Sequence, residues 1–334
     1  MASGSKVAVY SALGANSVVM VAKFGAFAAT GSGSMLSEGI HSLADVGNQA
    51  LLAFGISSAQ RAPDETHPYG YGREEFIWAM ISAVGIFFLG CGVTAMHGID
   101  QLLHPHPVED LTIALGVLAF AFVIEGLTLL VAVRAVRGAA QHANMRFFEY
   151  MVKGTDPMGV AVVLEDGAAV LGVTVAAIAL GLAQATGNPL FDALGTLSIS
   201  LLMGLLALFL VRKNRALLLG QAIQPARQDK IVDLLENDPV VGEVEDVKAT
   251  VTGSGALRFK AEIDFDGQEI TRRYLAGHDL AQMRAGIGDD RTFETFLIDF
   301  GDHVIDQLAK EVDRLEAEIV AAAPMTKHVD LEAD

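Results

Sequence analysis

The stretch SEGIHSLADVGNQ, at residues 37–49, places three ionisable side chains inside a segment whose flanks are apolar enough to lie in a membrane. They belong to Glu38, His41 and Asp45. A charged side chain at the centre of a bilayer costs about 2.5–3.5 kcal/mol on insertion scales, and such residues usually mark a functional site. This stretch therefore guides the interpretation of both the fold and the function.

Six apolar segments predict six membrane-spanning helices, because each is close to the roughly 20 residues that a bilayer requires. Hydrophobic residues make up 52% of the 334 residues, and the later part of the chain is more charged and mixed. The sequence therefore predicts an all-α six-helix membrane bundle at residues 1–211 and a soluble domain at residues 212–334. The segments are 7–29, 35–58, 75–98, 111–135, 157–183 and 190–211.

Basic residues are distributed unevenly between the predicted loops. The loops near residues 31–34, 99–110 and 184–189 carry no Lys or Arg. Because basic loops stay in the cytoplasm, both termini are predicted to be cytoplasmic. The short N-terminus lacks a signal-peptide cleavage pattern and an Arg-rich transit peptide, which favours a multi-pass location in a bacterial cell inner membrane. The opposite loops carry Lys6, Arg61, Arg73, Arg134, Arg137, Arg146, Lys153, Arg212, Lys213 and Arg215.

Net charge and cysteine content exclude several classes of function. The formal net charge is −17, which argues against a nucleic-acid partner because phosphate binding requires a basic surface. Cys91 is the single cysteine of the sequence, so one chain can form neither a disulfide framework nor a cysteine-based zinc site.

The polar residues of the second segment have the spacing of metal ligands. His41 and Asp45 are four residues apart and share one face of a helix, and Glu38 lies three residues before His41 on the same face. An imidazole and a carboxylate at this spacing can bind one divalent cation. The structural alternative is a His–Asp hydrogen bond that joins helices.

Two further acids, Glu165 and Asp166, lie in the fifth segment within VVLEDGAAVLG. Adjacent residues point about 100° apart on a helix, so one is expected to complete the site while the other faces a cavity, a helix or a second ion. The spacing does not choose between them. A mixed imidazole and carboxylate set without thiolate suits Zn²⁺, and also Mn²⁺, Fe²⁺ or Co²⁺.

Other polar residues of the apolar segments have two interpretations. Glu125 lies mid-segment in FVIEGLTLL, where it could serve an ion or proton path, as could Glu38, or pair with Lys23. Asn48 and Gln49 are predicted to donate hydrogen bonds between helices.

Several motifs resemble the cation diffusion facilitator family of metal transporters. These motifs are SEGIHSLADVGNQALLAFGI, DETHPYGYGREE and ANSVVMVAKFGA. The zinc transporter nine branch of that family is similar in HPYGYGREEFIWAMISAVGIFFLGCGV, VVLEDGAAVLGV, RFKAEIDFDG, EVDRLEAEI and the terminal HVDLE. The resemblance covers nearly the whole chain. It implies a six-helix transporter whose cytoplasmic domain is metallochaperone-like and forms a homodimer.

The resemblance also implies a ligand set. The family site takes two ligands each from helices two and five, often as two H-x-x-x-D motifs. Helix two supplies His41 and Asp45, and the aspartate of helix five falls on Asp166. The histidine four residues earlier falls on Val162, which cannot bind metal. The fourth position would be filled by Glu165, by Glu125 or by water.

A second family site lies in the loop between helices two and three and uses one Asp and two His. Asp64 and His67 match this pattern, but the second His position is Tyr71. A weak metal site or an ordered turn is expected there.

The soluble domain is predicted to be α+β. Residues 224–267 indicate helix, strand, turn and strand, with a hairpin at the GSG of residues 253–255. Residues 293–322 indicate a long amphipathic helix, and residues 327–333 a last strand. Residues 268–295 depart from the family pattern as an insertion with some helix.

The leading hypothesis is a proton-coupled exporter of a divalent metal, with Zn²⁺ as the expected substrate. The metal would bind mid-membrane between helices two and five, and alternating access would release it outside. His41 would be a natural proton carrier, because imidazole titrates in the physiological range.

Two alternatives compete with the Zn²⁺ exporter. A membrane metal sensor or assembly protein would keep the fold but move no ions, because Val162 has broken the site. A Mn²⁺ or Fe²⁺ exporter would use the same residues. A membrane enzyme is disfavoured, since neither a G-x-S-x-G nor an H-E-x-x-H motif is present.

Overall fold

The computed structural model describes residues 2–30, 33–104, 111–253 and 255–334. The chain divides into two compact units, Met1–Leu219 with Gly253–Gly255, and Gly220–Thr252 with Ala256–Asp334. The division lies beyond the expected boundary between residues 211 and 212. The reason is that the last helix of the first unit continues through its basic residues to Leu218.

The first unit is built from helices, and each of the six apolar segments lies on one of them. Helices α3 and α4 form one continuous helix, because the residues between them, Ile86–Val93, are π-helical. The helices are α1 Ala2–Thr30, α2 Gly33–Ser58, α3 Glu74–Gly85, α4 Thr94–Leu103, α5 Leu111–His142, α6 Phe147–Lys153, α7 Pro157–Thr186 and α8 Leu190–Leu218.

Five helical stretches among the described residues are long and apolar enough to cross a membrane. They are Gly4–Ala28, Glu74–Leu103, Leu115–His142, Pro157–Thr186 and Leu190–Leu218. Helix α2 is not among these five, although it has 26 residues. Its polar residues, which include those of the stretch at 37–49, lower its hydropathy. The prediction of a helical membrane-spanning region is confirmed.

Small residues allow these helices to approach closely. A Cβ atom added to Gly55 of α2 would lie 2.7 Å from both the Trp78 Cβ of α3 and the Met158 Cε of α7. A Cβ atom at Gly195 of α8 would overlap the Cβ of Ala179 in α7. Such close packing is typical of membrane helices, whose association depends on van der Waals contact.

The second unit contains a three-stranded sheet in the order β1-β2-β3, with β2 parallel to β3. Strands β1 and β2 are antiparallel, because a parallel pair would need a crossover of a dozen residues or more. The predicted α+β order is confirmed, and the insertion at 268–295 contains helix. The elements are α9 Pro225–Glu236, β1 Val241–Gly253, β2 Ala256–Phe265, α10 Gly267–Ala276, α11 Leu280–Ala285, α12 Asp290–Ala322 and β3 Thr326–Ala333.

Alternation along β2 creates one buried and one polar face. Phe259 and Ile263 are buried, as are Leu315 and Ile319 of α12. Intervening side chains of β2 instead form ion pairs across the β2–β3 ladder, such as Lys260–Glu332 with a nitrogen–oxygen distance of 2.7 Å. This pattern is that of a sheet covered by helices on one face.

Candidate metal site

Helix α2 presents His41 and Asp45 together. The His41 Nε2 and Asp45 Oδ2 atoms are 3.8 Å apart, and both side chains are partly exposed. This distance is too long for a hydrogen bond, so the pair is not locked as a structural His–Asp contact would be. Both groups therefore keep lone pairs that a cation could use.

Helix α7 carries Glu165 and Asp166, which are both buried. Glu165 accepts hydrogen bonds from two amides of α2, Asn48 Nδ2 at 3.3 Å and Gln49 Nε2 at 2.8 Å. The prediction that Asn48 and Gln49 donate hydrogen bonds between helices is confirmed.

Asp166 has different surroundings from its neighbour. The Thr128 hydroxyl of α5 lies beside its carboxylate. Its Oδ2 atom has no hydrogen-bond partner among the described residues. Asp45 lies close enough to act electrostatically on both Glu165 and Asp166. Three carboxylates from two helices thus gather in one region, where a divalent cation would neutralise their mutual repulsion.

The gathered groups do not form a closed cage around one point. Among the described residues, no three His, Cys, Asp or Glu side chains are close enough together to hold a metal ion. Val162 lies buried one turn before Asp166, so no ligand comes from that position. The predicted ligand set His41, Asp45, Asp166 and Glu165 remains a prediction, and it would need side-chain movement to close.

Glu38 and Glu125, the two residues predicted for an ion or proton path, differ in what the structure describes of them. The side chain of Glu38 lies outside the residues whose side chains are described. Glu125 of α5 and Lys23 of α1 are both buried, and both make interactions.

The loop between α2 and α3 is an ordered turn around Asp64. Its Oδ1 accepts from the backbone N–H of Thr66 at 3.0 Å and of His67 at 2.8 Å. Its Oδ2 accepts from the Tyr71 hydroxyl at 2.6 Å. The hydrogen bond from Tyr71, followed by that from Thr66, holds the pKa of Asp64 well below its usual range. Both carboxylate oxygens of Asp64 thus accept hydrogen bonds within the turn, and a loop metal site remains a prediction.

Sequence reasoning missed a buried polar cluster at the start of α7. Lys213 of α8 was counted among the basic loop residues, but it is buried and donates to the carbonyls of Met151 at 3.0 Å and Gly154 at 2.8 Å. Asp156 caps α7 and accepts a hydrogen bond from the Ser5 hydroxyl of α1. The Asp-Pro pair at 156–157 is a recognisable helix-start signal, whereas the partner of Lys213 depends on tertiary structure.

Comparison with known proteins identifies the class of this chain. Residues 9–219 match the model of the cation efflux transmembrane domain. The chain is 47% identical over 332 residues to the human protein named proton-coupled zinc antiporter SLC30A9, mitochondrial. This match covers 96% of the chain but 58% of the human protein, so the chain spans little more than half of that relative.

Two further relatives extend the comparison. Metal tolerance protein C4 of Arabidopsis thaliana is 43% identical over 335 residues, which cover 98% of this chain and 73% of that protein. Magnetosome protein MamM of Paramagnetospirillum magneticum is 35% identical over 92 residues, which cover 27% of this chain and 28% of that protein.

The comparison corrects the predicted location. The prediction of a bacterial cell inner membrane is wrong, because the human relative is named as mitochondrial. That prediction rested on the short N-terminus, which is no guide because the chain matches only part of the relative. A multi-pass membrane protein is supported by the apolar helices.

The match to the cation efflux transmembrane domain and the long alignments with the human and Arabidopsis proteins agree with the resemblance seen in the sequence. The chain belongs to the cation efflux family.

Proposed function

We propose that this chain is a secondary transporter that exchanges a divalent metal cation, Zn²⁺ first, for protons across a membrane. The observation that carries the proposal is that Asp45 of α2 acts electrostatically on buried Asp166 of α7, while His41 lies one turn before Asp45 on α2. The name of the human relative, a proton-coupled zinc antiporter, supports the same activity.

The metal would bind His41, Asp45 and Asp166, with water in the position that Val162 leaves without a ligand. A mixed imidazole and carboxylate set suits Zn²⁺, and three protein ligands with an open position are a known zinc geometry. An incomplete cage also suits a carrier, which must release its ion. Mn²⁺ and Fe²⁺ could use the same groups and remain alternative substrates.

Proton exchange follows from ligand chemistry. Metal ligands must be deprotonated, so binding of a dication releases protons from the site and its departure allows them to return. His41 can carry one of these protons, because an imidazole nitrogen binds either a metal ion or a proton. The two gradients are then coupled at one set of side chains, and ATP is not needed.

We also propose that α2 is the sixth span of the bundle, despite its polarity. Its exposed side chains include Ile40, Leu43 and Phe54, whereas Asn48 and Gln49 are buried. Apolar residues outward and polar residues inward are the arrangement expected of a helix that lines an ion path in lipid. Movement of α2 against α7 would open the site to each side in turn.

Metal flux into proteoliposomes tests the transporter. Zn²⁺, Mn²⁺ and Fe²⁺ are compared with and without an imposed pH gradient. We expect flux of Zn²⁺ that follows the proton gradient and falls more than about 100-fold in Asp45→Ala and in Asp166→Ala. Removing a residue that only hydrogen-bonds to a metal ligand usually lowers metal affinity or activity by about 10–100-fold, and loss of a ligand itself should cost more. The matched control is Asp100→Ala, an exposed acid of α4 that should keep full flux.

Binding without flux in any gradient would contradict the transporter. It would favour the second candidate, a membrane metal sensor or assembly protein. The observation behind that candidate is buried Val162 at the position of a family ligand. In that case the same variants would lose binding, and no gradient would move ions.

We further propose that the second unit is the metallochaperone-like domain of the family and that it forms a homodimer. Its helix-covered three-stranded sheet supports the first part. Exposed apolar side chains of α12, among them Phe293, Leu297 and Ile298, support a contact surface. Light scattering of the purified protein in detergent should give twice the chain mass, and a monomer would contradict the dimer.

A further inference from the structure

We infer that Gln49, together with Asn48, is a positioning residue that holds Glu165 away from the transported ion and leaves Asp166 as the ligand of α7. The inference rests on the proposed function, because it assigns roles within the same site. It resolves the choice that the adjacent acids of α7 left open in the sequence.

The two acids of α7 differ in how their oxygens are used. Glu165 Oε1 accepts from Asn48, and Glu165 Oε2 accepts from Gln49. Asp166 is equally buried, but its Oδ2 has no hydrogen-bond partner among the described residues. An ion bound by Glu165 would compete with two amide donors, whereas an ion bound by Asp166 would satisfy an unused oxygen.

The position of Gln49 on α2 places its hydrogen bond to Glu165 close to the proposed metal ligands. Gln49 follows Asp45 by four residues, and Asp45 follows His41 by four, so the three side chains share one helical face. The Gln49–Glu165 hydrogen bond therefore joins α2 to α7 one turn from Asp45 and two turns from His41.

Asn48 is held by close packing as well as by its hydrogen bond. A Cβ atom added to Gly85 of α3 would lie only 2.9 Å from Asn48 Oδ1. Glycine at residue 85 thus makes room for the amide, whose oxygen lies against α3 while its nitrogen faces Glu165. Asn48 and Gln49 thus donate to one specific carboxylate, that of Glu165.

The test exchanges the two partners of the hydrogen bond. Gln49→Glu opposes two carboxylates, Glu165→Gln opposes two amides, and the double variant restores an amide–carboxylate pair with the groups reversed. Asp166→Asn is the matched change at the adjacent acid. The full chain is measured for Zn²⁺ affinity with a competing indicator, for thermal unfolding without metal, and for Zn²⁺ flux.

We expect Glu165→Gln to change Zn²⁺ affinity by less than about threefold, while Asp166→Asn lowers it by more than about 100-fold. Glu165→Gln should lower the maximal flux about tenfold without changing the half-saturating Zn²⁺ concentration, because a hydrogen bond to a charged group is worth at least that factor in an equilibrium constant. The double variant should regain both flux and the melting temperature that Gln49→Glu loses.

Two results would overturn the inference. In the first, Glu165→Gln loses Zn²⁺ affinity as completely as Asp166→Asn, which would make Glu165 a ligand. In the second, the double variant melts no higher than Gln49→Glu, which would mean that the two residues are not coupled. Both readouts need no transport, so they decide the inference even if the unaltered protein binds Zn²⁺ and moves none.

Discussion

At the scale of single residues, metal binding by the loop between α2 and α3 depends on the residue at position 71. Tyr71 stands where the family pattern has a second histidine, and its hydroxyl donates to Asp64 at 2.6 Å. Its ring lies 4.3 Å from that of His67, measured between centroids. The side chain at this position therefore already contacts both residues that the family pattern uses.

Tyr71→His should create a metal site in this loop. The new imidazole would join His67 and Asp64 in a set of two nitrogens and one carboxylate, which Zn²⁺ accepts with water as the fourth ligand. We expect one additional Zn²⁺ per chain, measured by equilibrium dialysis in an Asp166→Ala background that removes the proposed central site. Tyr71→Phe is the control and should add none, and equal stoichiometry in the two variants would contradict the prediction.

At the scale of elements, the sequence predicts helices and strands better than the contacts between them. Apolar runs located the membrane helices, and alternation located β2, because both patterns follow from burial of one face. The sequence analysis did not predict the short helix α6. It also missed the burial of Lys213, because the carbonyls that accept its hydrogen bonds lie about 60 residues earlier in the chain. For the same reason, the spacing of Glu165 and Asp166 could not tell which one the amides of α2 hold.

Close packing between α7 and α8 is predicted to tolerate no side chain at Gly195. A methyl group there would overlap the Cβ of Ala179, so the helices must separate. We expect Gly195→Ala to destabilise the protein by about 1–3 kcal/mol, the usual cost of overpacking. Thermal unfolding in detergent measures the effect. Gly181→Ala on α7 is the matched control, since no atom lies within 4 Å of its added Cβ, and equal losses in the two variants would contradict the packing argument.

In the second unit, Glu311 joins α12 to α10. Its Oε2 lies 2.8 Å from Arg273 Nη1 and 2.7 Å from Arg314 Nε. Burial acts to raise the pKa of Glu311, but hydrogen bonds from Arg314 and Arg273 outweigh it and hold the pKa below 4.5. Because the folded pKa is lowered, this stabilisation is present above about pH 4.5 and is lost as the pH falls further.

Glu311→Gln should therefore lower the local stability of α12 at neutral pH. It should also make that stability fall less steeply as the pH is lowered. We expect a cost of about 2 kcal/mol, because hydrogen bonds to charged groups are removed. Hydrogen exchange at Leu315 and Ile319, corrected for intrinsic rates, reports this local stability. The control is Glu318→Gln, whose ion pair with Arg314 is more exposed and should cost less than about 1 kcal/mol. A cost as large at Glu318 would show that burial does not matter here.

At the scale of the whole molecule, the number of crossings depends on α2 alone. Its buried amides and exposed apolar side chains favour a sixth span, whereas its hydropathy leaves it outside the five apolar stretches. An even number of crossings brings both ends of the chain to one side of the membrane, and an odd number separates them. The uneven distribution of basic residues favours the even number, since Lys6 and Arg212 then lie on the same side.

Labelling of the two ends decides between six and five crossings. An epitope tag is placed before residue 1, and Glu236→Cys provides an exposed thiol on α9 in a Cys91→Ser background. In sealed vesicles of one orientation, we expect a protease and a membrane-impermeant maleimide to reach both or neither. Asn188→Cys, between α7 and α8, is the control and should have the opposite accessibility. If only one of the two ends is reached, α2 does not cross, and the proposed metal site of His41, Asp45 and Asp166 at the bilayer midplane would lose its geometric basis.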